Sequence, residues 1–425
     1  MEYYRVEKSD GKWSLYDNNG RDFFSLGVDC VTVVDVDLEL NNEVYTLDSQ
    51  WFPRWMDVKL SEMGKMGFNT LGAWHHRHFW GNGYPKAVEL RLSQHAKKVN
   101  TVWGMGFPDV FDESFDVSIH KSLIDIFHGG GASLLQDEGV IGYYTDNEIH
   151  WWGSGGYWGD NEQAERGWSN TALVDDFIGL GPEASGKKRW VRFLSEKHGS
   201  IEALNERWDS EYSSFKDLLY ANRYRARPEI LQMDKLEFLR LVAKTYFEKT
   251  DSILKAYDPK RLNLGCRYVG NSTPDVVLKE GSRYVDIDSF NFYSMSLPEE
   301  YLEYAYEITK KPMMITEFSY CAGREAGFLE SNNGSRNVIV KSQERRAECY
   351  GAFVKSARKL PFMLGTHWFA MFDYGRNVHG LIGNYGLYDL NAKPYANFIK
   401  GVAHANQEIK GNSSSARGAG LSSKL

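Results

Sequence analysis

The chain has 425 residues, 42% of them hydrophobic and 25% charged, the make-up of a globular protein with a sizeable core and not of a disordered chain. At roughly 150 residues per domain this length allows two or three domains, but single α/β barrels with insertions also exceed 400 residues. A formal net charge of −7 argues against nucleic acid as the main partner, and no apolar run reaches the roughly 18 residues that would make a membrane partner.

Taken in chain order, Lys12–Tyr16 and Arg21–Phe24 flank the turn signal Asp17-Asn18-Asn19-Gly20 and predict a hairpin within residues 1–24. Phe23–Val28 reads as the first strand of something larger. Helix and strand then alternate. Lys59–Met66, with Leu60, Met63 and Met66 at helical spacing, ends at Gly67 and leads into a second strand, Phe68–Trp74. Val99–Met105 is the predicted third strand, Val117–Phe127 a helix, and Val140–Tyr144 the fourth strand. Trp190, Phe193 and Leu194 share one helical face, and Ile201, Leu204 and Trp208 another. Leu236–Tyr257 is a helix stopped by Asp258-Pro259. Arg261–Tyr268, Asp286–Tyr293, Pro312–Thr316 and Phe362–Phe369 read as strands five to eight, with helices at Tyr301–Lys310 and Glu344–Leu360.

This alternation predicts an α/β fold: a single (β/α)8 TIM barrel with a short N-terminal β-hairpin and long βα loops. The other fold with the same alternation, a doubly wound sheet, usually opens on a Gly-rich turn that is absent here. The barrel is expected over residues 25–408, with an insertion around 150–230, and residues 409–425 read as a disordered tail. The final Ser423-Lys424-Leu425 also matches a peroxisomal address. Met1-Glu2-Tyr3-Tyr4-Arg5-Val6-Glu7 carries no secretion signal, so the sequence as it stands predicts a cytoplasmic protein, or a secreted or periplasmic one after removal of a signal. Cys30, Cys266, Cys321 and Cys349 form no CxxC pair and read as small buried hydrophobes, not as a disulfide framework or zinc site.

In a barrel the chemistry lies at the C-terminal ends of the strands. Strand four runs into Thr145-Asp146-Asn147-Glu148 and strand seven into Thr316-Glu317, placing one carboxylate at each end, as retaining glycoside hydrolysis requires. Asn-Glu occurs four times, but only Asn147-Glu148 follows an apolar strand. Ile149, Trp151 and Trp152 are apolar company that would keep Glu148 protonated as an acid. Glu317 would attack as the ionised nucleophile, and Tyr293 and Arg267 are candidate donors to it. Tyr293 reads equally as a core tyrosine, and Arg267 as a surface ion pair. His75, His76 and His78 have the spacing HHxH without acidic helpers, which favours sugar hydrogen bonding or packing over a metal. His367 and Trp368 form a subsite floor or cap the core. Trp74, Trp103, Trp151, Trp152 and Trp158 lie near strand ends, where indoles stack on sugars or pack the interior. Arg77, Arg324 and Arg376 read as sulfate ligands or as ordinary solvated charges. A non-catalytic carbohydrate-binding barrel, and a metal-dependent hydrolase built on the His75 region, are the rival classes.

Together these residues resemble clan A glycoside hydrolases, barrels with Asn-Glu after strand four and a nucleophilic Glu after strand seven. Asp10–Tyr16 leading to Phe23–Val28, Gly67–Trp74, Phe107–Asp112, Gly142–Glu148 and Gly365–Phe369 are similar to the β-agarase family, glycoside hydrolase family 50. Family 42 β-galactosidases are a more distant likeness, and His198–Trp208 resembles a helical insertion shared by both. The resemblance implies Glu148 as acid/base, Glu317 as nucleophile, Asn147 as the residue bonding the hydroxyl beside the reacting carbon, and Tyr293 beside the nucleophile. It implies a retaining enzyme that needs no cofactor and cleaves β-galactosidic bonds of an agarose-like galactan, or an exo-acting β-galactosidase on short oligosaccharides. The binding module often found before the agarase barrel and the stretch Arg324–Val338 have no recognised counterpart, which leaves the galactan open.

Overall fold

The computed structural model describes residues 3–32, 51–101, 106–129, 132–154, 169–322, 338–374 and 383–418. Trp103, Trp158, Arg324 and Arg376 fall outside them. The N-terminal segment is a three-stranded antiparallel sheet of Arg5–Ser9, Lys12–Tyr16 and Asp22–Phe23. Its turn is tied by Asp17, whose carboxylate accepts the backbone N–H groups of Asn19 and Arg21 at 2.9 and 2.8 Å. The expected hairpin thus gains Arg5–Ser9, whose largely polar side chains offer little alternation to read.

The larger sheet is parallel and has nine segments. Their order across it is Leu262–Asn263, Val140–Tyr144, Lys86–Glu89, Thr70–Leu71, Ser25–Val28, Met363–Trp368, Met313–Phe318, Asp288–Asn291 and Tyr268–Val269. Successive strands are neighbours, and the first, Ser25–Val28, pairs with the last, Met363–Trp368. The order never reverses its winding, as a doubly wound sheet does. The two outermost segments belong to one short stretch of chain. There Leu264 donates its N–H to Tyr143 on one side, while Asn263 accepts from Asp286 on the other.

Two strand positions differ from expectation. The third sheet strand is Lys86–Glu89; of the expected Val99–Met105, residues 102–105 lie outside the described residues, and Val99 and Asn100 belong to Lys98–Asn100, which pairs antiparallel with Phe107–Pro108 in a separate small sheet. Charged ends disguise Lys86–Glu89, yet Lys86 is buried there against Asp137. The fifth strand is split, because Gly265 and Arg267 at positive φ interrupt the extended chain.

Helices pack outside the parallel sheet. Glu113–Phe127 is capped by Asp112, which accepts the Ser114 N–H, and Gln343–Lys359 by Ser342, which accepts that of Arg345. Between strands four and five lie Ala172–Gly179, Ser185–His198, Ile201–Trp208 and Asp217–Tyr220, before the long helix Pro228–Tyr257. Trp190, Leu194, Leu204 and Trp208 bury this insertion against Phe238 and its neighbours. The final helix, Ala396–Gly418, runs into the stretch that reads as tail. Among the described residues no helix is long and apolar enough to cross a membrane.

Candidate active site

Five residues just beyond the C-terminal ends of the first five sheet strands take positive φ although none is glycine: Cys30, Trp74, Arg91, Glu148 and Arg267, at 51–57°. Each such residue costs of order 1 kcal/mol. Backbone strain is therefore gathered on the face where a barrel would place its chemistry.

On that face Glu148 and Glu317 are joined through one amide. Asn291 Nδ2 donates to Glu148 Oε1 at 2.9 Å, to Glu317 Oε1 at 2.7 Å and to Asn147 Oδ1 at 3.1 Å. The two carboxylate oxygens are no farther apart than the sum of the first two bonds. Thr316 Oγ1 donates to Asn291 Oδ1 at 2.8 Å, which fixes the amide with its nitrogen toward the carboxylates. A register shift after Phe290 sets Asn291 opposite Glu317 in the neighbouring strand.

Glu317 is only 4% exposed. Tyr293 donates its hydroxyl to Oε2 at 2.5 Å, and Arg267 Nη2 lies 3.1 Å from Oε1. Burial pushes this carboxyl well above the usual range; Arg267 opposes that most strongly, and Glu148 adds to it. Arg267 is itself fully buried, with Trp74 4.5 Å and Tyr144 5.0 Å from its guanidinium carbon. Its Nη2 also donates to the Thr316 carbonyl at 2.6 Å and to Asp29 Oδ2 at 2.7 Å. Burial raises the Asp29 carboxyl to about 7 against the pull of the same guanidinium.

Of the residues singled out in the sequence, the structure brings Glu148, Asn147, Glu317, Tyr293, Arg267 and Trp74 into this one constellation. Glu148, Asn147 and Trp74 are partly exposed. The others sit differently. Trp151 is core: it stacks on Phe247 at 5.6 Å, meets Phe107 and Tyr246 edge-on, and is 1% exposed. Trp368 is core as well, walled by Phe318, Tyr350 and Phe398, with its N–H given to the Tyr385 carbonyl. Neither indole has a face to offer a sugar. His75 is buried with both ring nitrogens used, Nδ1 donating to the Gly72 carbonyl at 2.6 Å and Nε2 accepting from Trp80 at 3.1 Å; burial lowers its pKa to about 4. His367 fills the space a side chain at Gly27 would need and bonds Ser25 Oγ at 2.9 Å. No cluster of three or more metal-ligating side chains occurs among the described residues.

The sequence reading passed over Asn291, Asp29 and an aromatic group made of Phe369, Tyr374 and Tyr385. Phe369 meets Trp74, Tyr293, Tyr374 and Tyr385 edge-on, so this group adjoins the carboxylates. Asn291 carried a usable signal: it lies two residues before Tyr293, on the same side of an extended strand.

With this geometry in view, comparison with known proteins is informative. No protein-family model matches the chain. It is 24% identical to Beta-agarase B of Vibrio sp. (strain JT0107) over 481 aligned positions, covering 96% of this chain and 48% of that protein. It is 25% identical to Beta-agarase A of the same organism, covering 91% of this chain and 44% of the relative. The chain thus spans about half the length of the curated relatives it matches. Among solved structures, that of an agarase, AgWH50C, superposes with a TM-score of 0.81 at 22% identity, over 97% of this chain and 66% of that one. The chain shares that fold.

Proposed function

We propose that this protein is a retaining glycoside hydrolase of the family 50 β-agarase type, cleaving β-galactosidic linkages in agarose or a related galactan on a closed (β/α)8 barrel. The observation that carries the reading is the Asn291 amide bonded at once to Glu148 and Glu317. One oxygen of each carboxylate lies within reach of a single nitrogen, which supports the short separation of retaining enzymes, roughly 5–5.5 Å, over the wider one of inverting pairs, roughly 6.5–9.5 Å. The likeness to two proteins named beta-agarase supports the substrate class. Closure of the barrel is supported by the residue 262–269 stretch, which is bonded to strand four on one flank and to the sixth-strand region on the other.

In the first step a Glu317 oxygen forms a bond to the anomeric carbon as the bond from that carbon to the glycosidic oxygen breaks. The proton of Glu148 passes to the departing oxygen. In the second, Glu148 takes a proton from water, whose oxygen displaces Glu317 from the sugar. Asn147 bonds the hydroxyl beside the reacting carbon, where a contact that strengthens in the transition state is most useful. Tyr293 and Arg267 stabilise the Glu317 carboxylate before attack and on its release.

The test is reducing-sugar release with product sizing on agarose, porphyran, carrageenans, β-galactans and an aryl β-galactoside, with Glu317→Gln as control. Products from one polymer that retain anomeric configuration, absent in the variant, are expected. Equal inactivity of both proteins on the whole panel defeats the reading.

A further inference from the structure

Asp29 follows the first sheet strand and has no part in the mechanism above, yet its side chain is closely built in. Oδ1 accepts the Ala73 N–H at 2.9 Å and Oδ2 accepts Arg267 Nη2 at 2.7 Å. A Cβ at Gly72 would lie 1.8 Å from Oδ1, so the second strand carries glycine where this carboxylate needs space. The Arg267 nitrogen that Asp29 holds is the one 3.1 Å from Glu317. A single guanidinium nitrogen serves two buried carboxyls.

The other groups facing this pair leave the competition between Asp29 and Glu317 intact. His367 Nδ1 is 3.9 Å from Asp29 Oδ1, but burial and Arg267 lower its pKa to about 3 and keep it neutral. Tyr144 under the guanidinium, and the mutually bonded Cys30 and Tyr374, are held protonated by burial. Glu89, whose charge also acts on Asp29, is paired with Arg91 at 3.0 Å.

We propose that Asp29 is a positioning residue for the nucleophile: it holds Arg267 against Glu317 and, by sharing the same nitrogen, limits how strongly that cation stabilises the Glu317 carboxylate. This rests on Glu317 being the nucleophile. A guanidinium devoted to Glu317 alone would bind its charge too well and blunt its attack. When Glu317 becomes an ester in the glycosyl-enzyme, Arg267 keeps Asp29 as its counter-charge, and no cation is stranded in the interior.

Asp29→Asn removes the charge while keeping the shape and an oxygen for the Ala73 N–H. The full chain, labelled with 13C at the glutamate carboxyls, is titrated by NMR, and the Glu317 signal is assigned by its loss in Glu317→Gln. The Glu317 midpoint is expected to fall in Asp29→Asn by roughly one pH unit or more. An unchanged or higher midpoint overturns the proposal, and the readout needs no substrate. In galactan hydrolysis the acid limb of kcat/KM should move down alongside it, with kcat reduced and KM little changed. An active variant with the wild-type acid limb overturns the proposal and leaves the hydrolase reading standing. A lowered midpoint in a chain inactive on every galactan supports the coupling and defeats the hydrolase reading instead. Should Asp29→Asn not fold, Gly72→Ala crowds the same carboxylate from the second strand and is expected to lower the midpoint likewise.

Discussion

Buried ion pairs occur at both ends of the parallel sheet, and they are assembled differently. At the N-terminal end Lys86 meets Asp137 at 2.5 Å, and the same carboxylate accepts the N–H groups of Gly81, Gly83 and Gly139 at 2.7, 3.2 and 2.9 Å. One cation faces one anion, and both anion oxygens are occupied. At the C-terminal end Arg267 faces both Asp29 and Glu317, with Glu148 bonded to the same amide as Glu317. The surrounding backbone there is left-handed at five non-glycine positions. A balanced, fully bonded pair fixes chain positions, whereas an excess of carboxyl groups over cations perturbs their affinity for protons, and acid–base chemistry depends on that affinity. At the end proposed to react, two carboxyl groups share one cation; in the Lys86–Asp137 pair at the other end, one carboxyl has one cation to itself.

Separate damage to each end tests this division. Glu317→Gln should lower galactan hydrolysis by roughly 10⁴-fold or more, since it removes the proposed nucleophile, with little change in melting temperature. Residual turnover within about tenfold of wild type would assign the nucleophile elsewhere. Lys86→Met should do the reverse. It strands Asp137 without its cation and should cost about 3–5 kcal/mol of stability, seen as a lower denaturation midpoint, while kcat of the folded protein stays within about twofold. A stable but inactive Lys86→Met protein would mean that the two ends are not separable.

The same contrast explains what could be read from the sequence. Glu148 and Glu317 were legible because each terminates an apolar run, Val140–Tyr144 and Met313–Ile315, that could only be a buried strand. Two partners that complete the site, Asp29 and Asn291, were not, because they come from strands one and six and meet the carboxylates only through tertiary structure. Lys86–Glu89 was missed because a lysine looks like surface until its partner, Asp137, is brought beside it. The aromatic signal misled in the opposite sense. Trp151 lies just after Glu148 in the chain and Trp368 ends the last sheet strand, but their bulk is used to fill the layer between sheet and helices.

A smaller effect is expected from the amide that ties the two carboxylates. Asn291→Ala removes the bonds to Glu148, Glu317 and Asn147 together, and should reduce kcat on the order of 10²-fold by loosening their placement, with KM changed much less. A change confined to KM would make Asn291 a substrate ligand and not the spacer of the proposed catalytic pair.

The last test asks whether burial without chemistry also leaves a titration signature. Asp288 begins the sixth sheet strand, at the opposite end from Glu317. Burial raises its carboxyl from 3.8 to about 7, outweighing the Thr309 hydroxyl and Lys311, which pull it down. Below the unfolded value Asp288 is protonated in both states. Between about pH 4 and 7 the folded chain keeps a proton that the unfolded chain has released, so the stability present at low pH is lost as pH rises through that window. Asp288→Asn stays neutral throughout. Its stability relative to wild type should therefore climb from pH 4.5 to pH 8, on the order of 2 kcal/mol, while kcat at pH 7 is unaltered. Thermal denaturation of both proteins across that range is the measurement. A pH-independent difference would show that Asp288 is ionised in the fold, and that an unbalanced carboxyl at this end is tolerated at little cost.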